Sequence, residues 1–334
     1  MAAHGLADPQ SMNSTPHTSP NPHPFRTRAL VALCAVLGLA TFAAAPAVAK
    51  PKVDGKFAVS GVGTNNELTK GPDGNIWVTL DQTNDVARIT PNGQVTEYDA
   101  VDIANPIGIT TGPDGKLWVT QSNGVASFSP ADPENATKFT INDIADPRPL
   151  VTGPDGNLWT VSGANVIKID PANPAGATSF PVLVAGRDID AGKDGRLWVA
   201  DFGSQVVRVN TDGTAKAYDT GAGSGLQAIA AGPKGQVAYA DPTSNPQKVG
   251  RIDKGKVKKT TSPGDPFGVA FGADKAYWIP RFASGDLLRL TTDGKTSALG
   301  GLQNTGPRRI AKGPGRTLWV TLDTADKIAR VSGL

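Results

Sequence analysis

From about residue 53 onward, apolar and polar residues alternate in short runs, and one turn recurs between them. Such period-two alternation, cut by Gly, Pro and Asp, predicts β-strands with one face buried. The recurring stretch is Gly112-Pro113-Asp114-Gly115-Lys116-Leu117-Trp118-Val119-Thr120, and versions of it begin at Gly71, Gly112, Gly153, Gly192, Gly232, Gly272 and Gly313. Successive starts lie 41, 41, 39, 40, 40 and 41 residues apart. A period near 40 is the length of one four-stranded propeller blade.

In the second copy, strand A is expected over 107–111, B over 116–121, C over 125–129 and D over 138–141. Gly-Pro-Asp-Gly supplies the A–B turn. Proline fixes φ, Asp bonds the backbone ahead of it, and Gly accepts the final conformation. All six tryptophans, Trp77, Trp118, Trp159, Trp198, Trp278 and Trp319, occupy one column of strand B, and the fifth copy has Ala238 instead. Apolar residues flank that column on both sides. A lone blade has nothing to bury such a strand against, so seven blades are expected to pack around an axis with the Trp column between them. The fold class that follows is all-β: a seven-bladed β-propeller with four antiparallel strands per blade.

The seventh copy ends after its strand C, at Leu334. Val53-Asp54-Gly55-Lys56-Phe57-Ala58-Val59 matches the missing C–D turn and strand D. It is expected to complete the last blade beside residues 327–331 and close the ring, removing two exposed sheet edges. Blades two and three carry extra residues between C and D, 130–137 and 171–178, and repeat five has a longer B–C loop, 241–247. The first pair is expected as connections between strands C and D, and the repeat-five loop is the insertion where binding is to be looked for.

Composition changes the picture mainly at the start. Arg26 and Arg28 precede an apolar run from Ala29 to Ala45 and then Ala47-Val48-Ala49, the order of a secretory signal peptide. The expected division is a signal peptide over 1–49, translated from Met1 or Met12, and a propeller over 50–334, secreted and without a membrane span. All three histidines, both methionines and the one cysteine lie in the leader. The expected mature chain therefore has no His base, no Ser-His-Asp relay, no thiolate and no zinc site of His and Cys. Removing 2 of 33 basic and 1 of 30 acidic residues leaves 31 against 29, and nothing in that balance points to nucleic acid.

Gly153-Pro154-Asp155-Gly156-Asn157-Leu158-Trp159, Pro106-Ile107-Gly108-Ile109-Thr110 and Ala87-Arg88-Ile89-Thr90-Pro91-Asn92-Gly93 together resemble the streptogramin (virginiamycin B) lyases. The resemblance spans essentially all of the expected mature chain. It implies a seven-bladed propeller and, in the family, elimination that opens a cyclic lactone antibiotic, with histidines before strand A and a magnesium ion held by glutamates. The matching histidine column, five residues before each repeat glycine, reads Asn66, Ile107, Arg148, Arg187, Gln227, Phe267 and Arg308. The strand-B glutamate column reads Leu80, Gln121, Ser162, Asp201, Asp241, Arg281 and Leu322, and the second glutamate falls on Asp265.

No catalytic residue is identified in those columns. Arg148, Arg187, Gln227, Phe267 and Arg308 are the candidates for ligand binding, because clustered guanidiniums hold anions through paired hydrogen bonds. The expected function is a secreted, monomeric binding propeller for a small anionic ligand or a protein. The alternative is a lyase or lactone hydrolase using Asp201, Asp241 or Asp265, with magnesium required only in that case. A basic residue recurring in strand C (Arg88, Lys168, Arg208, Arg251, Arg289, Arg330) is expected to serve the scaffold, pairing with turn aspartates.

Overall fold

A computed structural model describes residues 49–334, apart from 100–102, 222 and 224, within the compact unit Val48–Leu334. The leader expected over 1–49 falls, up to residue 48, outside the described residues. Seven four-stranded antiparallel sheets follow one another. Six are built from consecutive strands, as in Leu68–Lys70, Ile76–Leu80, Asp85–Ile89 and Val95–Tyr98 for blade 1. The seventh combines Pro307–Lys312, Leu318–Leu322 and Lys327–Ser332 with the first strand of the chain, Lys52–Ala58. Lys52 pairs with Ser332 and Ala58 with Lys327, so the ring is closed in the expected way.

Strand B is buried end to end in blades 1–5 and 7 and over all but its last residue, Arg281, in blade 6, as expected for a sheet packed on both faces. Each indole sits in an apolar layer between blades; Trp319 of blade 7, for example, packs with Ile76, Val78 and Leu80 of blade 1. In five blades the ring also stacks on an aromatic of its own strand D, at centroid distances of 5.5–5.9 Å: Trp77 on Tyr98, Trp118 on Phe139, Trp159 on Phe180, Trp198 on Tyr218 and Trp319 on Phe57. The turn aspartate has a second task beyond the turn. Asp73, Asp114, Asp155 and Asp274 accept from the indole Nε1 of Trp77, Trp118, Trp159 and Trp278 at 2.9–3.1 Å.

The strand-C cations also serve the scaffold. Lys168 pairs with Asp155 at 2.9 Å and Arg289 with Asp274 at 2.6 Å. Others reach the C–D turn of the next blade: Arg251 donates to the Thr292 and Asp293 carbonyls at 2.6 and 2.8 Å, and Arg330 donates to the Pro91 carbonyl. One expectation needs correction. Residues 130–137 and 171–178 do not merely connect strands C and D: most of each segment joins strand D, which runs over Asp132–Thr140 and Asn173–Pro181. The extra length is absorbed by register shifts between Ser127 and Ser129 and between Lys168 and Asp170.

The innermost strands line an axial cavity of about 370 Å³. This places the residues just before each strand A at one end of the axis and the Gly-Pro-Asp-Gly turns at the other.

Candidate functional site

The loop end of the axis is the mouth, and the structure sorts its candidate residues into three groups. The first is Arg148 and Arg187, from blades 3 and 4. Arg148 pairs with the exposed Asp146. Arg187 lies over the Phe202 ring at 4.5 Å and, among the described residues, makes no ion pair. Burial and the neighbouring Arg148 guanidinium lower its hold on its proton, with Asp146 opposing. The Nε atoms of both arginines are buried without a hydrogen-bond partner. One half-exposed carboxylate thus answers two guanidiniums.

The second group is Arg308 and Phe267, from blades 7 and 6. Arg308 lies over Phe267 at 4.0 Å and over Phe282 at 5.1 Å, and the two rings meet edge to face at 6.1 Å. Its charge is answered by Asp323, whose carboxyl is pushed up to about 6 by burial, with Arg308 opposing. Gln227 is half-buried between these groups in chain order.

The third group is the carboxylates. Asp201 is fully buried, and its oxygens accept from the backbone N–H of Val184 at 3.0 Å, Ala185 at 2.7 Å and Gly203 at 3.4 Å. Asp241 is fully buried and accepts from Ser244 N–H at 3.1 Å and from the Thr243 hydroxyl at 3.2 Å. Asp265 sits in the left-handed region at φ 56° and is tied to Gln247, at the end of the repeat-five insertion, whose Oε1 accepts its N–H at 3.0 Å. Each of these carboxylates is therefore held by its own loops, Asp265 through the Gln247 side-chain amide on Oδ1. Among the described residues, no three His, Cys, Asp or Glu side chains converge as a cation would need.

Below the mouth lies a set of charges that the two columns do not contain. Arg309 Nε is 3.2 Å from Glu67 Oε1, joining blade 7 to blade 1. Asp188 is pushed up to about 7 by burial and the nearby Glu67, with Arg309 opposing. Glu67 is likewise raised by burial, and so is Asp190. The two aspartates also have a mechanical task, since Asp188 accepts from Ile229 N–H and Asp190 from Ala231 N–H, both at 2.8 Å, along the edge of the next blade's inner strand. The signal in the sequence is one column: four residues before the repeat glycine stand Glu67, Asp188 and Arg309, where other blades have Gly108, Pro149, Ala228 and Gly268.

A closed seven-bladed propeller with a polar axis and an arginine-bearing mouth defines the class of protein. The chain belongs to the virginiamycin B lyase family, whose model matches residues 41–174 and 180–333. Among solved structures it is similar to virginiamycin B lyase from Staphylococcus aureus, at 20% identity and a TM-score of 0.72 over 85% of this chain and 99% of that one. A catalytically inactive variant of that lyase with quinupristin gives 20% identity and 0.73 over the same shares. Hydrazine synthase from Kuenenia stuttgartiensis gives 17% and 0.66 over 82% of this chain and 96% of that one. At these identities the likeness shows the fold. A search of curated proteins finds no match.

Proposed function

We propose that this chain is an exported binding propeller that holds a small anionic molecule at its loop mouth, without streptogramin elimination. The observation that carries this reading is Arg187: half-buried, stacked on Phe202, set beside Arg148, and without a carboxylate of its own. An anion between the two guanidiniums would relieve their repulsion through the terminal guanidinium nitrogens. The Phe202 ring offers an apolar wall, which suits an anion carried on a flat or aromatic body.

Elimination needs a base poised near neutrality at the reacting proton. Asp201 and Asp241 accept from loop backbone N–H groups and Asp265 from the Gln247 side-chain amide, which supports binding over chemistry. Two measurements test the reading. Calorimetry with benzoate as the aromatic anion is expected to show binding that weakens roughly tenfold or more in Arg148→Gln/Arg187→Gln; unchanged affinity would remove the arginines from the site. A type B streptogramin incubated with the protein and magnesium is expected to keep its ring. A linear product by mass spectrometry that disappears in Asp265→Asn would establish the lyase alternative instead.

A further inference from the structure

The far end of the axis opens, on the turn face, into a bowl of about 420 Å³ that shares Ala191, Phe271 and Lys312 with the axial cavity. Three lysines line it, Lys193 of blade 4, Lys275 of blade 6 and Lys312 of blade 7, and no lining residue is acidic. All three are exposed, and among the described residues none makes an ion pair. Asp190, deeper in the axis, feels the charge of Lys312.

Two of these lysines depart from the turn residues of most blades, as do Lys234 of blade 5, Ala273 of blade 6 and Arg316 of blade 7. At the second turn position, blades 1, 2, 3, 5 and 7 have Pro72, Pro113, Pro154, Pro233 and Pro314, and blade 4 has Lys193. The blade 4 turn is otherwise the same: Gly195 N–H donates to Gly192 O at 3.1 Å, as Gly74 does to Gly71. At the fourth position the chain is left-handed, with φ of 71–79° at Gly74, Gly115, Gly156, Gly195 and Gly235, yet blade 6 places Lys275 there at φ 60°. A side chain with a Cβ is disfavoured in that region, although the turn hydrogen bond is kept, Lys275 N–H donating to Gly272 O at 3.1 Å.

We propose that the turn-face bowl is a second binding site, for a compact organic or inorganic polyanion with at least two adjacent anionic groups. Its cations are Lys193, Lys275 and Lys312, and the Phe271 ring forms part of its wall. The volume suits a small metabolite-sized ligand. Unpaired ammonium groups lining one cavity give a field that favours multiply charged over singly charged anions and fades with salt.

The test is calorimetry and thermal denaturation with inorganic pyrophosphate and citrate, with acetate as the singly charged control. Both polyanions are expected to bind more tightly than acetate, and whichever binds more tightly assigns the site to phosphoryl or carboxylate ligands. Lys193→Pro/Lys275→Gly restores the turn residues of the other blades. It is expected to raise the unligated Tm by about 1–3 °C while weakening polyanion binding roughly tenfold. Lysines with only a turn role would raise Tm and leave binding unchanged, which overturns the proposal, as does absence of binding by either polyanion. Lys312→Gln provides a further variant at an ordinary strand position. Binding lost in Arg148→Gln/Arg187→Gln but kept in the lysine variants would assign the anion to the mouth and refute the bowl alone.

Discussion

Tyr277 of blade 6 reaches the turn glycine of blade 5, Gly232, and stands where every other blade has its own tryptophan. A Cβ at Gly71, Gly112, Gly153, Gly192, Gly272 or Gly313 would run into Cδ1 and Nε1 of that blade's indole, whereas at Gly232 it would meet the Tyr277 hydroxyl and ring. Ala238 leaves the space, and Tyr277, packed with Ala238 and edge-on to Phe271 at 4.9 Å, fills it from the neighbouring blade. The break in the Trp column is therefore a compensated exchange.

Tyr277→Ala is expected to lower stability by about 3–5 kcal/mol, since it empties a fully enclosed site. Ala238→Trp alone overpacks and should lose about 1–3 kcal/mol. Combined with Tyr277→Leu, the residue type of that column in other blades, it should be less destabilising than Tyr277→Ala. Urea denaturation of these variants and of Tyr277→Leu alone checks this; losses in the double that equal the sum of Ala238→Trp and Tyr277→Leu would show that the two side chains do not share one space.

Ring closure rests on few side chains. Phe57 stacks on Trp319 at 5.5 Å, and Asp54 accepts from Arg330 Nε at 2.8 Å. Phe57→Ala should therefore cost about 3 kcal/mol or more. Deleting residues 51–60 should lower the thermal midpoint sharply, because it exposes the edge of Lys327–Ser332 and removes Phe57 from Trp319. An unchanged midpoint would mean that the first strand is dispensable.

Asp201 is expected to behave as a loop anchor. Asp201→Ala leaves three backbone N–H groups unsatisfied and should cost about 2–4 kcal/mol, measured by denaturant unfolding. Asp201→Asn, which keeps one acceptor, should cost less. Magnesium at millimolar concentration should not alter the wild-type midpoint; a magnesium-dependent rise lost in both variants would return Asp201 to the metal column.

Much of this architecture was legible because its causes are local. Gly-Pro-Asp-Gly fixes a turn within five residues, Trp118 and its neighbours fix a strand buried on both faces, and the period counts blades. The strand D extensions were not legible, since Pro133, Asn135 and Pro174 carry no strand pattern and lie inside the register shift, where the ladder gives them no partner. The axial charges were hidden for a different reason. Glu67, Asp188 and Arg309 lie more than 100 residues apart in chain order and meet only when the ring closes. The arginines of the mouth column were visible, but that Arg308 has a carboxylate while Arg187 lacks one depends on Asp323 and Asp146, outside any repeating column.

The axial carboxylates make stability depend on pH in a definite direction. Asp188, pushed up to about 7 against an ordinary value near 3.9, binds a proton in the folded state that the unfolded chain has already released. Over that window the folded state holds more protons, so unfolding becomes easier as pH rises, and the trend ends near pH 7. Glu67 and Asp190, raised by burial, act in the same sense, as does Asp323 at about 6; Arg309 and Lys312 oppose them. Asp54 and Asp155, held low by their hydrogen bonds and cations, lose stability only below about pH 4 and leave this window untouched. Stability is therefore expected to fall by on the order of 1–3 kcal/mol between pH 5 and pH 7.5, solvent in the axis screening part of the full linkage. In Asp188→Asn the slope should flatten. A wild-type slope of the opposite sign, or one that survives Asp188→Asn unchanged, would place the protons elsewhere than on the inner strand of blade 4.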